Sequence, residues 1–281
     1  MNTTFSDLGI TKELTDALAL AGITEPTAVQ REVIPLIAAK KNIMFQSETG
    51  TGKTLAYLLP LIQRLETEEN PSKAVKILIA SPTYELAAQI KVQIQAVSKI
   101  KCALCIGGAP IARQIDMLKE KPQIVIGGAA RLLELIHLKK LKADSTEVLV
   151  LDEADRLLSP ELRDSTEGLL ERLPANVELI GNSATVSDYT RKILQKARDG
   201  ITGGKYSEED AIKLITLPLE DVLRKRIEHL AIFAERRDKI DTLRSFINAE
   251  KPQKLIVFTA RTDQIENIVS KLAYRKIDCA G

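Results

Sequence analysis

The sequence predicts an α/β fold: a mainly parallel sheet covered by helices on both faces, followed by an incomplete second α/β domain. Three observations carry that expectation. Short, wholly apolar runs (Ile43-Met44-Phe45, Ile77 to Ala80, Ile124-Val125-Ile126, Val148 to Leu151) alternate with helical patterns, and strands apolar at every position belong to parallel sheets buried on both sides. The first run leads into Ser47-Glu48-Thr49-Gly50-Thr51-Gly52-Lys53-Thr54 and then a helical pattern from Leu55 to Leu65. Strand, glycine-bearing loop, Lys-Thr and helix is the layout of a phosphate-binding P-loop. Late in the chain the strand–helix rhythm restarts at Leu255 and stops at Gly281, and one strand with two helices buries too little surface for a domain of its own.

Each element has its own local reason. Leu8, Leu14, Leu18 and Ala21 predict a short amphipathic helix ended by Gly22. Pro26 restricts the entry to the next helix, Thr27 is suited to cap it, and Gln30, Val33, Ile34 and Ile37 ride on it. After the P-loop helix, Ile77 to Ala80 is a strand followed by Ser81-Pro82-Thr83 and a helix through Ile94. Leu104-Cys105-Ile106 leads into Gly107-Gly108; Ile124 to Ile126 leads into Gly127-Gly128 and a helix from Arg131 to Leu138. Val148 to Leu151 runs into Asp152-Glu153-Ala154-Asp155, and Leu179-Ile180 into Gly181-Asn182-Ser183-Ala184-Thr185 before another helix. Residues 199–207 read as an exposed loop, Ala211 to Leu219 as an extended segment, and Asp221 to Glu228 as a linker whose Arg224-Lys225-Arg226 is a solvated face. Arg237 to Ile247 is helical, Leu255 to Phe258 a buried strand, and Thr262 to Leu272 a helix.

Composition narrows the setting. With 281 residues, 44% hydrophobic and 28% charged, the chain can build a soluble core. Its net charge of +2 means that any basic surface is a local patch. No apolar run approaches membrane-spanning length, Met1 to Thr4 has no signal pattern, and three cysteines imply a reducing, cytoplasmic setting. Cys102 and Cys105 have no second pair or nearby His, so they read as strand cysteines rather than zinc ligands.

Parallel-sheet ligands gather beyond the carboxyl ends of the strands, and every Gly-, Ser- or Asp-bearing segment above falls there. Gly50 and Gly52 let backbone N–H groups approach an anion, assisted by the helix N-terminus near Lys53. Lys53 suits the outer phosphates and Thr54 offers a hydroxyl to Mg²⁺. Ser47 stands where the generic pattern often has Gly, and is still small. Asp152, after four apolar strand residues, is placed to hold Mg²⁺ opposite Thr54, and Glu153 to orient or deprotonate an attacking water.

With these residues in place the chain resembles the DEAD-box RNA helicases, whose name is spelled by Asp152-Glu153-Ala154-Asp155. Phe5 and Pro26-Thr27-Ala28-Val29-Gln30 are similar to the family's adenine-reading segment. Pro82 to Ala87, Gly107-Gly108, Gly128 to Arg131 and Ser183-Ala184-Thr185 follow in the family's order, and Leu255 to Phe258 resembles the strand opening its second domain. The resemblance implies a RecA-like ATP-binding domain at 1–220, a linker at 221–235 and the start of a second RecA-like domain at 236–281. It implies ATP and Mg²⁺ as cofactors, with Phe5, Thr27, Gln30 and Ser47 through Thr54 at the nucleotide and Glu153, Lys53 and Asp152 catalytic. It implies RNA held through its backbone by Pro82, Thr83, Gly107, Gly108, Gly128 and Arg131, and coupling of the two sites by Asp155, Ser183 and Thr185. The Gln30 amide suits the N6/N7 edge of adenine. Three positions depart from the family pattern: Ile23 lacks an aromatic ring, Tyr84 replaces an Arg, and Gly128-Ala129-Ala130 loses a hydroxyl. No counterpart of the second domain's γ-phosphate arginines precedes Gly281, so hydrolysis by this chain is expected to be weak. The alternative from another class is a non-catalytic ATP-dependent RNA- or protein-binding clamp.

Overall fold

Seven short strands pair into one sheet: β1 (Ile43–Gln46), β2 (Ile77–Ala80), β3 (Cys102–Cys105), β4 (Ile124–Gly127), β5 (Val148–Leu151), β6 (Glu178–Ser183) and β7 (Lys213–Thr216). Their order is β3-β4-β2-β5-β6-β1-β7, and every pairing is parallel. The computed structural model describes residues 3–48, 50–69, 74–185, 192, 194–195, 211–216, 228 and 230–281. The expected loop at 199–207, the helix after Thr185 and the run Arg224-Lys225-Arg226 lie outside those residues, apart from positions 192 and 194–195. Contacts divide the chain into one unit spanning Met1–Leu219 and a second spanning Glu220–Gly281.

In the first unit, strand side chains alternate between two cores, as a period of two requires. Ile43, Phe45, Ile77, Ile79, Ile124, Ile126, Val148, Val150 and Ile180 face one cluster. That face is covered by α1 (Lys12–Leu20), α2 (Ala28–Ala38), α3 (Lys53–Glu66) and α4 (Tyr84–Val97). Met44, Leu78, Ala80, Val125, Leu149, Leu151 and Leu179 face the other. There α6 (Ala129–His137), α7 (Ala154–Leu157) and α8 (Arg163–Leu170) supply the cover, with α5 (Ile111–Lys119) packed alongside. Each such apolar side chain gains roughly 1.5–3 kcal/mol on leaving water, which is why these four-residue strands need no polar alternation. Cys102 and Leu104 join the first core and Ala103 and Cys105 the second, so the two cysteines point to opposite sides of β3.

Several boundaries move. Strand β3 begins at Cys102, α6 begins at Ala129, and α1 begins at Lys12, leaving Leu8 in the preceding turn. Strand β6 continues to Ser183 because Gly181, Asn182 and Ser183 pair with Met44, Phe45 and Gln46. The extended segment after Ala211 becomes β7, laid along β1 at the sheet edge.

The second unit contains α9 (Lys239–Glu250), a 3-10 turn (Thr262–Gln264) and α10 (Ile265–Tyr274). Leu255 to Phe258, expected as a buried strand, is neither paired nor buried: Ile256 is 77% and Phe258 91% exposed. A buried parallel strand needs neighbouring strands for its N–H and C=O groups, and this unit has none among the described residues. Its one buried apolar side chain among them is Leu272.

Candidate active site

The P-loop joins β1 to α3, and its backbone shows why it carries glycine. Gly50 and Gly52 have φ of 83° and 89°, and Gly52 is the left-handed N-cap of α3. A β-carbon on Gly52 would lie 2.6 Å from Gln30 Nε2. Thr49 lies outside the described residues. The rest of the loop is closed by its own polar groups. Ser47 Oγ and Thr51 Oγ1 are 2.6 Å apart, and Thr51 Oγ1 donates to the Glu48 carbonyl at 2.8 Å. The buried Lys53 ammonium donates to the Ser47 carbonyl at 2.8 Å. Burial lowers its pKa, opposed by the charges of Asp152, Glu153 and Asp155. A phosphate arriving here would give Lys53 a stronger partner than its own loop.

The carboxylates follow β5. Asp152 is almost fully buried, and burial pushes it up to about 6 against the Asn182 hydrogen bond and the Lys53 charge. Asn182 Nδ2 donates to Asp152 Oδ1 at 2.5 Å. Glu153 has φ 54° and caps α7, with its carboxylate held by Arg156 at 3.2 Å. Asp155 Oδ2 accepts from Thr185 Oγ1 at 2.9 Å. The Ser183 hydroxyl turns to the Thr185 carbonyl at 2.6 Å, while its own carbonyl accepts the Ser47 N–H at 3.1 Å. Thr185 and Asp155, two of the expected coupling residues, are thus in direct contact. The bond to Asp152 comes from Asn182 rather than Ser183. The sequence pattern puts Asn182 in a loop; its pairing with β1, which makes it a strand residue, is visible in the structure alone.

Gln30 is buried, with both ends of its amide engaged. Its Oε1 accepts the Thr27 N–H at 2.9 Å, closing a capping box on α2, and its Nε2 donates to the Gly52 carbonyl at 3.1 Å. The exposed Thr27 and the buried Gln30 thus meet the P-loop at Gly52. Phe5 does not join them at a surface: it is 1% exposed, in the core beneath α1 and α2. Its ring has its whole apolar area to gain from that burial.

The remaining expected residues sit at the ends of β2, β3 and β4. Thr83 caps α4, its hydroxyl accepting from the Leu86 N–H at 3.3 Å. Pro82 beside it is half-buried, Gly107 and Gly108 are exposed, and Gly128 caps α6. Arg131 is committed inward: Nη1 donates to the Ala109 carbonyl at 3.1 Å and Nε pairs with Glu134 at 2.9 Å. The buried Gln114 braces the same loop through the Ile106 carbonyl at 2.8 Å. All of these loops lie at one rim, because every strand is parallel. Along it the P-loop, the 152–155 loop and the 183–185 loop occupy β1, β5 and β6, and the others occupy β2, β4 and β3. At roughly 4.8 Å per strand, three steps separate the P-loop strand from β2 by about 14 Å.

Thr54 and Asp152 are hard oxygen donors of the kind Mg²⁺ takes. Among the described residues there is no cluster of three or more acids, His or Cys that could cage a metal unaided.

The model of the DEAD/DEAH box helicase family matches residues 27–193. The ATP-dependent RNA helicase CshA of Listeria monocytogenes is 32% identical over 97% of this chain and 50% of the relative. The DEAD-box ATP-dependent RNA helicase CshC of Bacillus cereus is 33% identical over 95% of this chain and 66% of the relative. A crystal structure of a DEAD box protein from the hyperthermophile Methanococcus jannaschii superposes with a TM-score of 0.67 at 26% identity, covering 98% of this chain and 71% of that one. The chain spans about half to two thirds of the length of these curated relatives.

Proposed function

Since the chain belongs to the DEAD/DEAH box helicase family, we propose that it is the ATP-binding core of an ATP-dependent RNA helicase. Relatives carrying that name along nearly all of this chain support the reading. The observation that carries it is the joint geometry of α3 and β5: Lys53 and Thr54 at a helix N-terminus, in the field of Asp152 and Glu153 from the same rim. Lys53 would exchange the Ser47 carbonyl for a phosphate oxygen. Thr54 and Asp152 would hold Mg²⁺, which when bound spreads the negative charge of the phosphates. Glu153 would orient and deprotonate the attacking water, and Gln30 would read the base beside Gly52.

The loops at β2, β3 and β4 would take RNA through backbone groups, without reading sequence. Arg131 gives two of its five N–H donors to Ala109 and Glu134, so its guanidinium is held in place and would share that role with the N–H groups of 107–108 and 128. The unit boundary at Leu219 supports reading 1–220 as the RecA-like domain, with a linker and the start of a second one after it. No helix of the described residues is long and apolar enough to cross a membrane.

The test is competition by unlabelled ATP, ADP and GTP against a fluorescent ADP, in wild type and Lys53→Ala, with RNA-stimulated hydrolysis measured in Glu153→Gln. ATP and ADP compete, GTP does not, Lys53→Ala loses binding, and Glu153→Gln loses any RNA-stimulated turnover. Equal competition by GTP, or turnover that survives Glu153→Gln, refutes the reading.

A further inference from the structure

Asn182 lies inside β6 with no exposed surface. It stands opposite Phe45 of β1, and its predecessor Gly181 stands opposite Leu151 of β5. An amide buried in an apolar sheet persists when its hydrogen bonds are made. The two ends of this one are chemically distinct, and so are their partners. Nδ2 donates to Asp152 Oδ1 at 2.5 Å, and Oδ1 accepts from the Glu153 backbone N–H at 3.3 Å. A carboxylate can only accept and an N–H can only donate, so the amide has one workable orientation. One side chain thereby grips both acids.

Each grip constrains something the chemistry needs. Glu153 holds φ 54° and ψ 58°, the left-handed region, without being glycine. A residue with a β-carbon stays there when its surroundings over-determine it. Asn182 fixes the peptide that enters Glu153, and Arg156 fixes the far end of its carboxylate. On Asp152 the bond occupies Oδ1, and Oδ2 has no hydrogen-bond partner among the described residues. The strand then passes to Ser183, whose carbonyl holds the Ser47 N–H at the head of the P-loop. Carboxylates and phosphate loop are therefore registered to the same strand end.

We propose that Asn182 is a positioning residue for phosphoryl transfer. It selects the Asp152 oxygen presented to a nucleotide-bound divalent cation, and it holds Glu153 in the backbone state that aims its carboxylate. This rests on the ATP reading of the site. Asn182 acts through the two acids rather than on the nucleotide.

The test uses the full 281-residue chain with fluorescent ADP and Mn²⁺. Asn182→Leu keeps the branching of the side chain but is larger, and Asn182→Ala makes no steric demand, so whichever folds is read. ADP affinity is measured in EDTA and in Mn²⁺, with bound Mn²⁺ followed by electron paramagnetic resonance. Metal-free affinity stays within about twofold of wild type while the enhancement by Mn²⁺ falls ~10-fold, the size of a lost hydrogen bond to a charged group. A merely structural role would weaken both affinities alike. Equal losses, an enhancement that is retained, or collapse of the fold in both variants overturns the proposal and leaves nucleotide binding by wild type standing. A wild-type chain in which Mn²⁺ gives no enhancement overturns the ATP reading and this proposal with it.

Discussion

Removing Arg64 strands a buried charge beneath the P-loop helix. Arg64 lies in the last turn of α3, with Nη1 2.7 Å from Glu178 Oε2 and Nη2 donating to the Ile37 carbonyl at 2.7 Å. It therefore ties α3 to the start of β6 and to the end of α2. The Glu178 side chain is 7% exposed, and burial raises its pKa even though Arg64 pulls it down. In Arg64→Ala the desolvation remains and the compensation goes, so the expected cost near neutral pH is ~3–5 kcal/mol, the size for one partner of a buried pair. The sign with pH follows. A carboxyl whose folded pKa is raised favours the fold most below its ordinary range, and that contribution is lost as pH rises through the folded value. Arg64→Ala raises that value further, so its deficit against wild type is large at about pH 7.5 and shrinks toward about pH 5. Arg64→Ala/Glu178→Gln recovers part of the loss at neutral pH, because a neutral amide in the same place costs less to bury. Urea melts followed by circular dichroism at the two pH values measure all three chains. A deficit independent of pH, or a double variant no better than the single, would show that the carboxylate is not the source of the cost.

Three further outcomes follow from local geometry. Gly52→Ala must hold φ 89° and push Gln30 Nε2 from 2.6 Å; a loss of ~1–2 kcal/mol in melts is expected from the left-handed backbone alone, with fluorescent-ADP affinity falling too. Gly127→Ala sets a β-carbon 1.9 Å from the Cys105 carbonyl on the neighbouring strand, and backbone cannot swing aside, so destabilisation at or beyond ~3 kcal/mol is expected, visible as loss of soluble folded protein. Burial pushes the Cys105 thiol up to about 11, so iodoacetamide at mildly alkaline pH should leave it unmodified in peptide mass spectra of native chain and label it after denaturation.

The sheet was legible because its strands are apolar at every position and end in polar loops: Ile77–Ala80 and Val148–Leu151 fall where the pattern puts them. What misled was polarity in place of pairing. Gly181-Asn182-Ser183 look like a loop, yet β1 offers them a pairing edge and Asn182 finds polar partners. Leu255 to Phe258 err the other way, since an apolar run becomes a strand only where another strand stands beside it. In the site, residue types and spacing located the P-loop and the acids, because phosphate chemistry restricts both. They could not say that Arg131 turns inward to Ala109 or that Phe5 goes to the core, since side-chain partners depend on loops distant in sequence.

Gln30 makes the link between local structure and selectivity testable. Capping and base reading look like competing uses of one amide, but an amide carries two hydrogens and two good acceptor directions. Thr27 and Gly52 take one of each, which leaves one N–H and one lone pair. Adenine presents an N7 acceptor and an N6 donor, matching that remainder; guanine presents N7 and O6, both acceptors, so its O6 faces the Gln30 oxygen. Because the used hydrogen lies on Gly52, the residue just before Lys53, reading of the base by Gln30 would share one side chain with the shaping of the phosphate loop. Gln30→Ala should cost ~1 kcal/mol of stability from the lost cap. It should also collapse a preference for ADP over GDP of ~10-fold or more, the worth of one or two hydrogen bonds. Competition binding with ADP and GDP in wild type and Gln30→Ala separates the two uses. Lost stability with an unchanged ADP/GDP ratio would mean that Gln30 only caps α2 and braces Gly52, and that adenine is read elsewhere.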